Sequence, residues 1–194
     1  MILLAALILG LLTGWGVARW RRIPYRAPEL RHLWLVPVCL LPQLAVSYWP
    51  RTWDWVPVAA AGAVVPLSLL GFLAFVWLNR RLPGMPALLV GLVLNLAVIT
   101  LNGGWMPISP ETASHLPGGS LPDSAAVGTR VDDKSILLRP EDTKLEFLAD
   151  RFLLPAIGSY RAAISLGDMF IAAGAFWLLA RLRGAPHPER RHNA

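Results

Sequence analysis

Apolar residues fall in long runs separated by short polar stretches, at neither strand nor amphipathic-helix spacing. Five runs approach the ~20 residues that cross a bilayer, with ~17 as a lower limit. They cover about 2–18, 33–49, 56–78, 85–101 and 164–182. Pro37 and Pro42 interrupt the second run and Pro66 stands near the middle of the third, so kinks are expected there. Gly10 and Gly14 give the first run a GxxxG, a spacing that allows close helix packing. The fold class this predicts is an all-α polytopic bundle of about five membrane spans forming a single integral-membrane domain.

Arginines orient the spans. Arg19, Arg21, Arg22, Arg26 and Arg31 follow the first run, Arg80 and Arg81 the third, and Arg181, Arg183, Arg190 and Arg191 the last. These positions alternate as cytoplasmic flanks do. The turn 50–55 has one arginine and one aspartate, and segment 102–163 has six lysines and arginines against eight acidic residues, so both read as external. The expectation is a multi-pass protein of the cell (plasma) membrane with its N-terminus outside and a basic cytoplasmic tail over 183–194. Trp49, Trp53, Trp55 and Trp105 would form an outer aromatic belt, and Trp20, Trp34 and Trp77 an inner one. A secretory signal peptide has its basic segment before the apolar core; here "RWRR" follows it, which predicts a retained first helix.

Composition agrees: 194 residues are 55% hydrophobic and 15% charged, with a mean hydropathy of +0.51. The net charge of +6 does not imply nucleic acid, because the basic residues flank apolar runs. Cys39 is the only cysteine, so no internal disulfide forms. His32, His115, His187 and His192 lack ligand spacing, and neither a metal nor a cofactor is expected.

The external segment divides in two. From about Ser109 to Asp133 it is rich in Gly, Pro, Ser and Ala and reads as a flexible loop. "KSILL" then reads as a short strand or extended segment. "RPEDTKLEFLADRF" reads as a short amphipathic surface helix: Thr143 and Glu146 have capping-box spacing, and Leu145, Leu148, Ala149 and Phe152 share one side.

Chemistry concentrates at the outer ends of the last two runs. Ser165 precedes Asp168 by three residues, a second capping-box spacing that would hold the carboxylate at the positive end of a helix dipole. Asp150 lies 18 residues earlier, and the intervening chain is long enough to fold back. Two carboxylates in a low-dielectric pocket share a proton and can work as general acid and base. The plainer alternative makes Asp168 a capping residue and Asp150 a solvated charge paired with Arg151. In the fourth run Asn95 is buried in apolar sequence, where bonding a neighbouring helix is commoner than binding a ligand. Asn102 ends that run, Gly103 and Gly104 offer a left-handed cap, and Met106 and Pro107 redirect the chain.

Three strings together, "LNRRLPGMPALLVGLVLNLAVITLNGGWMP", "LRPEDTKLEFLADRFLLP" and "SLGDMFIAAG", resemble an uncharacterised bacterial membrane-protein family catalogued as domain of unknown function 5317. The resemblance implies that Asn95, Asn102, Gly103, Gly104, Met106, Pro107, Asp142, Thr143, Asp150, Ser165, Gly167 and Asp168 are family-motif positions. It implies no activity. The C-terminal third is also similar to lipoprotein signal peptidases, membrane aspartyl proteases with a catalytic pair at the outer face. That resemblance matches Asp150, Asp168 and Gly174 to the motif, whereas Ser165 replaces its Asn and Gly167 its Ala.

The leading expectation is a non-catalytic membrane protein that binds a lipid, a peptide or a partner protein through an outer pocket. Asn95, Asn102, Gly103, Gly104, Met106, Pro107, Asp142, Thr143, Ser165 and Gly167 would form it. The alternative is a membrane aspartyl hydrolase using Asp150 and Asp168. A transporter is disfavoured, since Asn95 and Gln43 alone are polar near mid-membrane.

Overall fold

A computed structural model describes residues 2–48, 58–116, 127–131, 135–156 and 161–181. Trp49, Trp53, Trp55, the turn 50–55, the middle of the external loop and the tail from 182 lie outside the described residues.

The chain is mostly helical. The long helices are α1 (Ile2–Trp20), α2 (Leu35–Tyr48), α3 (Val58–Leu78), α4 (Met85–Leu101) and α6 (Leu166–Ala180); α5 (Pro110–Ser114) is a single short turn. Side by side they run α2, α3, α4, α6, α1. Among the described residues one helix, α1, is long and apolar enough by length and composition to cross a membrane; Met85–Leu101 and Leu166–Ala180 are shorter.

Small residues make the seams. Gly10 and Gly14 of α1 lie on α6: a Cβ at Gly10 would sit 2.7 Å from the Phe176 carbonyl, and one at Gly14 would meet the Leu179 carbonyl. The GxxxG face read from sequence is therefore a helix seam, and α1 and α6 run parallel across it. Gly91 faces Gly167 and Gly84 faces Gly174, so α4 and α6 run antiparallel. Large apolar residues point away from the seams: Leu4, Leu9 and Leu12 on α1, Leu41 on α2, Leu67 on α3, Val93 on α4 and Trp177 on α6 are all exposed.

Pro42 and Pro66 stand inside α2 and α3. Pro66 has no N–H to offer the Gly62 carbonyl, and the Gly62 backbone is what Gly104 packs against. Gly104 has φ +90, and a side chain there would collide with Gly62. Helix α4 therefore ends directly on the wall of α3.

The described residues of segment 102–163 form a small folded cap with short sheets, which corrects the all-helical expectation. Strand β1 (Met106–Ile108) pairs in parallel with β2 (Ser135–Leu137), so "KSILL" does contain a strand. On its other edge β1 meets the Asp150 stretch, with the Asp150 amide donating to the Pro107 carbonyl at 3.2 Å. Ile108, Ala113 and Leu137 form a small apolar core, with Leu116, Val131 and Ala163 packed on it. The described parts of the expected loop from Ser109 to Asp133, 109–116 and 127–131, thus carry structure. Ser109 caps α5 through the Thr112 amide at 3.1 Å, and Gly128 to Val131 pair with β2.

The expected surface helix is absent from residues 139–152. Two 3-10 turns, Pro140–Asp142 and Glu146–Leu148, replace it. The Thr143 hydroxyl bonds backward to the Arg139 carbonyl at 2.8 Å rather than forward to Glu146, and Leu145 has a left-handed φ of 55. A left-handed residue ends the helical path, and burying Leu148 in the bundle core compensates for it. Strands β3 (Phe152–Leu153) and β4 (Ala163–Ile164) then form an antiparallel hairpin that delivers the chain to Ser165.

Candidate functional site

Helix α6 begins on Ser165 because that side chain accepts the Asp168 amide at 3.0 Å, while the Asp168 carboxylate accepts the Ser165 amide at 3.4 Å. The capping box expected from sequence is present in both directions. Asn95 completes it from α4. Its Nδ2 donates to Asp168 Oδ1 at 2.8 Å, and its Oδ1 accepts from Ser165 Oγ at 2.9 Å. Ser165 and Asn95 are buried and Asp168 is half-buried. The carboxylate sits on the first turn of α6, where the free amides and the dipole favour negative charge.

Gly167 is part of the same construction. A Cβ there would collide with the Asn95 side-chain amide and come within 2.8 Å of the Gly91 carbonyl. Asn95, Ser165, Gly167 and Asp168 thus form one contiguous group at the α4–α6 seam.

Asp150 is 2% exposed, which corrects the reading of it as a solvated partner of Arg151. Arg151 instead pairs with Glu146 at 3.3 Å, both well exposed. The Arg151 amide donates to the Ile164 carbonyl at 3.3 Å, one residue before the α6 cap. The fold-back expected from chain length is therefore real, and β1, the Asp150 stretch and the start of α6 converge.

The other expected pocket residues have structural positions. The Asn102 side chain donates to the Lys144 carbonyl at 2.9 Å and accepts the Lys144 amide at 3.0 Å, latching the cap to α4 as a backbone pair would. Met106 and Pro107 are fully buried in β1. Gly104 is closed off by Gly62, whereas Gly103 has open space around it. Asp142 is exposed in the first 3-10 turn and Thr143 closes that turn. Trp105 is 3% exposed, so it is no belt residue; the Arg130 guanidinium stacks over its ring at 4.1 Å.

Sequence reasoning missed Asn79 and Tyr25, which secure the opposite end. Asn79 is buried and exchanges two hydrogen bonds with the Arg31 backbone, at 2.8 and 3.0 Å. The Tyr25 hydroxyl donates to the Leu179 carbonyl at 2.9 Å, and burial pushes its pKa upward. An asparagine after an apolar helix and a tyrosine in a basic loop carried a signal of polar anchoring, but not of the partner. Among the described residues no cluster of three or more His, Cys, Asp or Glu is arranged for a metal ion.

With the geometry in place, comparison with known proteins gives the family. Residues 28–180 match the "Family of unknown function (DUF5317)". The chain belongs to this family. The DUF5317 match starts at Pro28, after α1, and ends at Ala180, the last residue of α6. It therefore contains the whole Asn95–Ser165–Asp168 group and leaves out the helix that packs on the far side of α6. A much shorter part of the molecule is also similar to an uncharacterised protein of Thermotoga maritima, 43% identical over 54 residues. That stretch covers 27% of this chain and 32% of the relative. No solved structure matches the chain.

Proposed function

We propose that the protein is an integral membrane protein of five spans, N-terminus outside, acting as a non-catalytic binding protein through the outer end of α4 and α6. The observation that carries this is the distribution of side chains. Glycines and a hydrogen-bonded polar cluster occupy the seams, while Leu, Val and Trp face outward on every long helix. In water such an exterior is an aggregation hazard; in lipid it is the expected arrangement.

The short last helix fits this reading. Its 15 residues reach about 22 Å, less than a hydrocarbon core of ~30 Å. The β3–β4 hairpin extends it, with Arg151 and Leu154 amides bonded to Ile164 and Ala162 carbonyls. Non-helical backbone is tolerated at that depth when it is paired within the protein. Phe152 and Leu153, exposed on the hairpin, would then face lipid. The occupant of the outer site would be a lipid, a peptide or a partner protein that reaches the exposed edge of Asp168.

Two measurements test the reading. Alkaline carbonate should leave the full chain in the membrane pellet, and a reporter inserted near Ser120 should be active outside the cell. A soluble protein, or a cytoplasmic Ser120 reporter, would overturn it.

A second reading follows the similarity to lipoprotein signal peptidases, with Asp150 and Asp168 as an aspartyl dyad. The burial of Asp150, next to the Arg151 amide that bonds the strand leading into the α6 cap, favours it. As a dyad, Asp150→Asn and Asp168→Asn would each abolish turnover of a membrane peptide while the protein stays folded, and the double change would add nothing. If Asp168→Asn only lowers stability and Asp150→Asn leaves the membrane-peptide profile intact, there is no dyad.

A further inference from the structure

The opposite end of the same helices carries more positive charge than the fold uses. Arg80 and Arg81 follow α3, and Arg181 follows α6. A cavity of about 530 Å³ opens between them and the first turn of α4. Its polar wall is Arg80, Arg81 and Arg181; Pro86, Ala87 and Trp177 make the apolar wall. Arg80 is held in place, with its guanidinium donating to the Trp77 carbonyl at 3.1 Å and lying 4.8 Å from the Trp77 ring centroid. The side chains of Arg81 and Arg181 make no hydrogen bond or ion pair among the described residues. A second cavity of about 430 Å³ shares Arg80, Arg81 and Leu82 and adds Arg31 and one carboxylate, Glu29.

Three cations around one cavity repel one another unless an anion joins them. Helix α4 contributes in the same sense. It runs 17 residues from Met85, with Gly84 as its N-cap, so the positive end of its dipole opens on this cavity. We infer that this cavity binds the phosphate headgroup of an acidic phospholipid. The shape of the lining argues for a lipid rather than a free ion. Trp177 is 55% exposed at the cavity wall, and Val90, one turn beyond Pro86 on α4, is exposed as well. An apolar strip thus leads away from the arginines along α4 and α6, where acyl chains would lie. A basic pocket between helices at the arginine-rich side of a bundle is suited to such headgroups. The inference rests on the membrane reading above but concerns the other end of the bundle.

The test uses the full chain purified in an uncharged detergent, with native mass spectrometry counting bound phosphatidylglycerol or phosphatidylcholine. Phosphatidylglycerol should bind and phosphatidylcholine should not. Arg81→Gln and Arg181→Gln should each weaken binding about fivefold and the double change about 25-fold. Lysine at both positions should preserve most of the affinity. Both arginines are exposed, so helix content by circular dichroism should be unchanged. Equal binding by the double glutamine variant would overturn the inference. So would displacement of the lipid by millimolar inorganic phosphate, which would mark a free-anion site. Release of the chain by alkaline carbonate would sink both this inference and the membrane reading, whereas loss of lipid selectivity alone leaves the latter standing.

Discussion

At the Asn95 end of α4, polar groups close on one another: the amide of Asn95, the hydroxyl of Ser165 and the carboxylate of Asp168 satisfy each other within 2.8–3.4 Å. At the Gly84 end of the same helix, Arg81 and Arg181 face a cavity with no partner among the described residues. Both ends are polar and both belong to α4 and α6, yet one is sealed by its own hydrogen bonds and the other is open. Buried polar groups must be paired to be tolerated, so the bonding of Asn95 and Ser165 follows from folding, and the exposed edge of Asp168 is what this end offers a ligand. Exposed, unpaired charges are under no such constraint, and their clustering asks for a ligand. Changes at the sealed end should therefore cost stability, and changes at the open end should cost binding.

The largest effect should come from Gly167→Val. The new side chain meets the Asn95 amide and the Gly91 backbone, and Asn95 cannot swing away without giving up Ser165 and Asp168. Overpacking of this kind costs about 3 kcal/mol. Thermal denaturation in detergent, followed by circular dichroism, should show a midpoint well below that of the parent chain. A variant as stable as the parent would mean that the α4–α6 seam is looser than its geometry.

Asn95→Ala comes next. It strands the Ser165 hydroxyl and removes the side-chain donor to Asp168, at about 2 kcal/mol. Asn102→Ala loses a more exposed latch and should cost about 1 kcal/mol, while Asp142→Ala on the open 3-10 turn should stay within about 0.5 kcal/mol. The order Asn95, Asn102, Asp142 is the sharp part. If Asp142 proved the most costly, the cap formed by segment 102–163 would hold the molecule together by something other than its hydrogen bonds.

What the sequence made legible follows from the range of the signals. Ser165 and Asp168 are three residues apart, so their capping box could be read locally, as could the GxxxG of α1 as a packing face. Asp150 could be brought back to the α6 cap from chain length. The mate of Asn95 could not be named, because it lies 73 positions away at Asp168. The pairing of β1 with β2, 29 positions apart, is also non-local, and no periodicity announces three-residue strands. The surface helix failed for a specific reason. The 3.6-residue pattern over Leu145, Leu148, Ala149 and Phe152 is genuine, but burial of Leu148 and pairing of Asp150 with Pro107 hold the backbone in turns and extended chain. Tertiary contacts overrode local propensity there. Trp105 shows the same limit: an aromatic at a helix end reads as a belt residue until Gly62 and Arg130 enclose it.

The smallest stability effect should be that of Arg181→Gln, and its smallness is informative. Arg181 is exposed, its side chain has no partner among the described residues, and its amide bond to the Trp177 carbonyl survives any substitution that keeps an N–H. The expected change is within about 0.5 kcal/mol, measured by the same detergent melt in the absence of added lipid. With phosphatidylglycerol added, the parent chain should gain more thermal stability than the variant, since a ligand bound only by the folded state raises stability by mass action. Equal gains would place the lipid elsewhere on the bundle. A large loss without lipid would show that Arg181 is part of the fold, and the contrast between a sealed and an open end would fail at its simplest point.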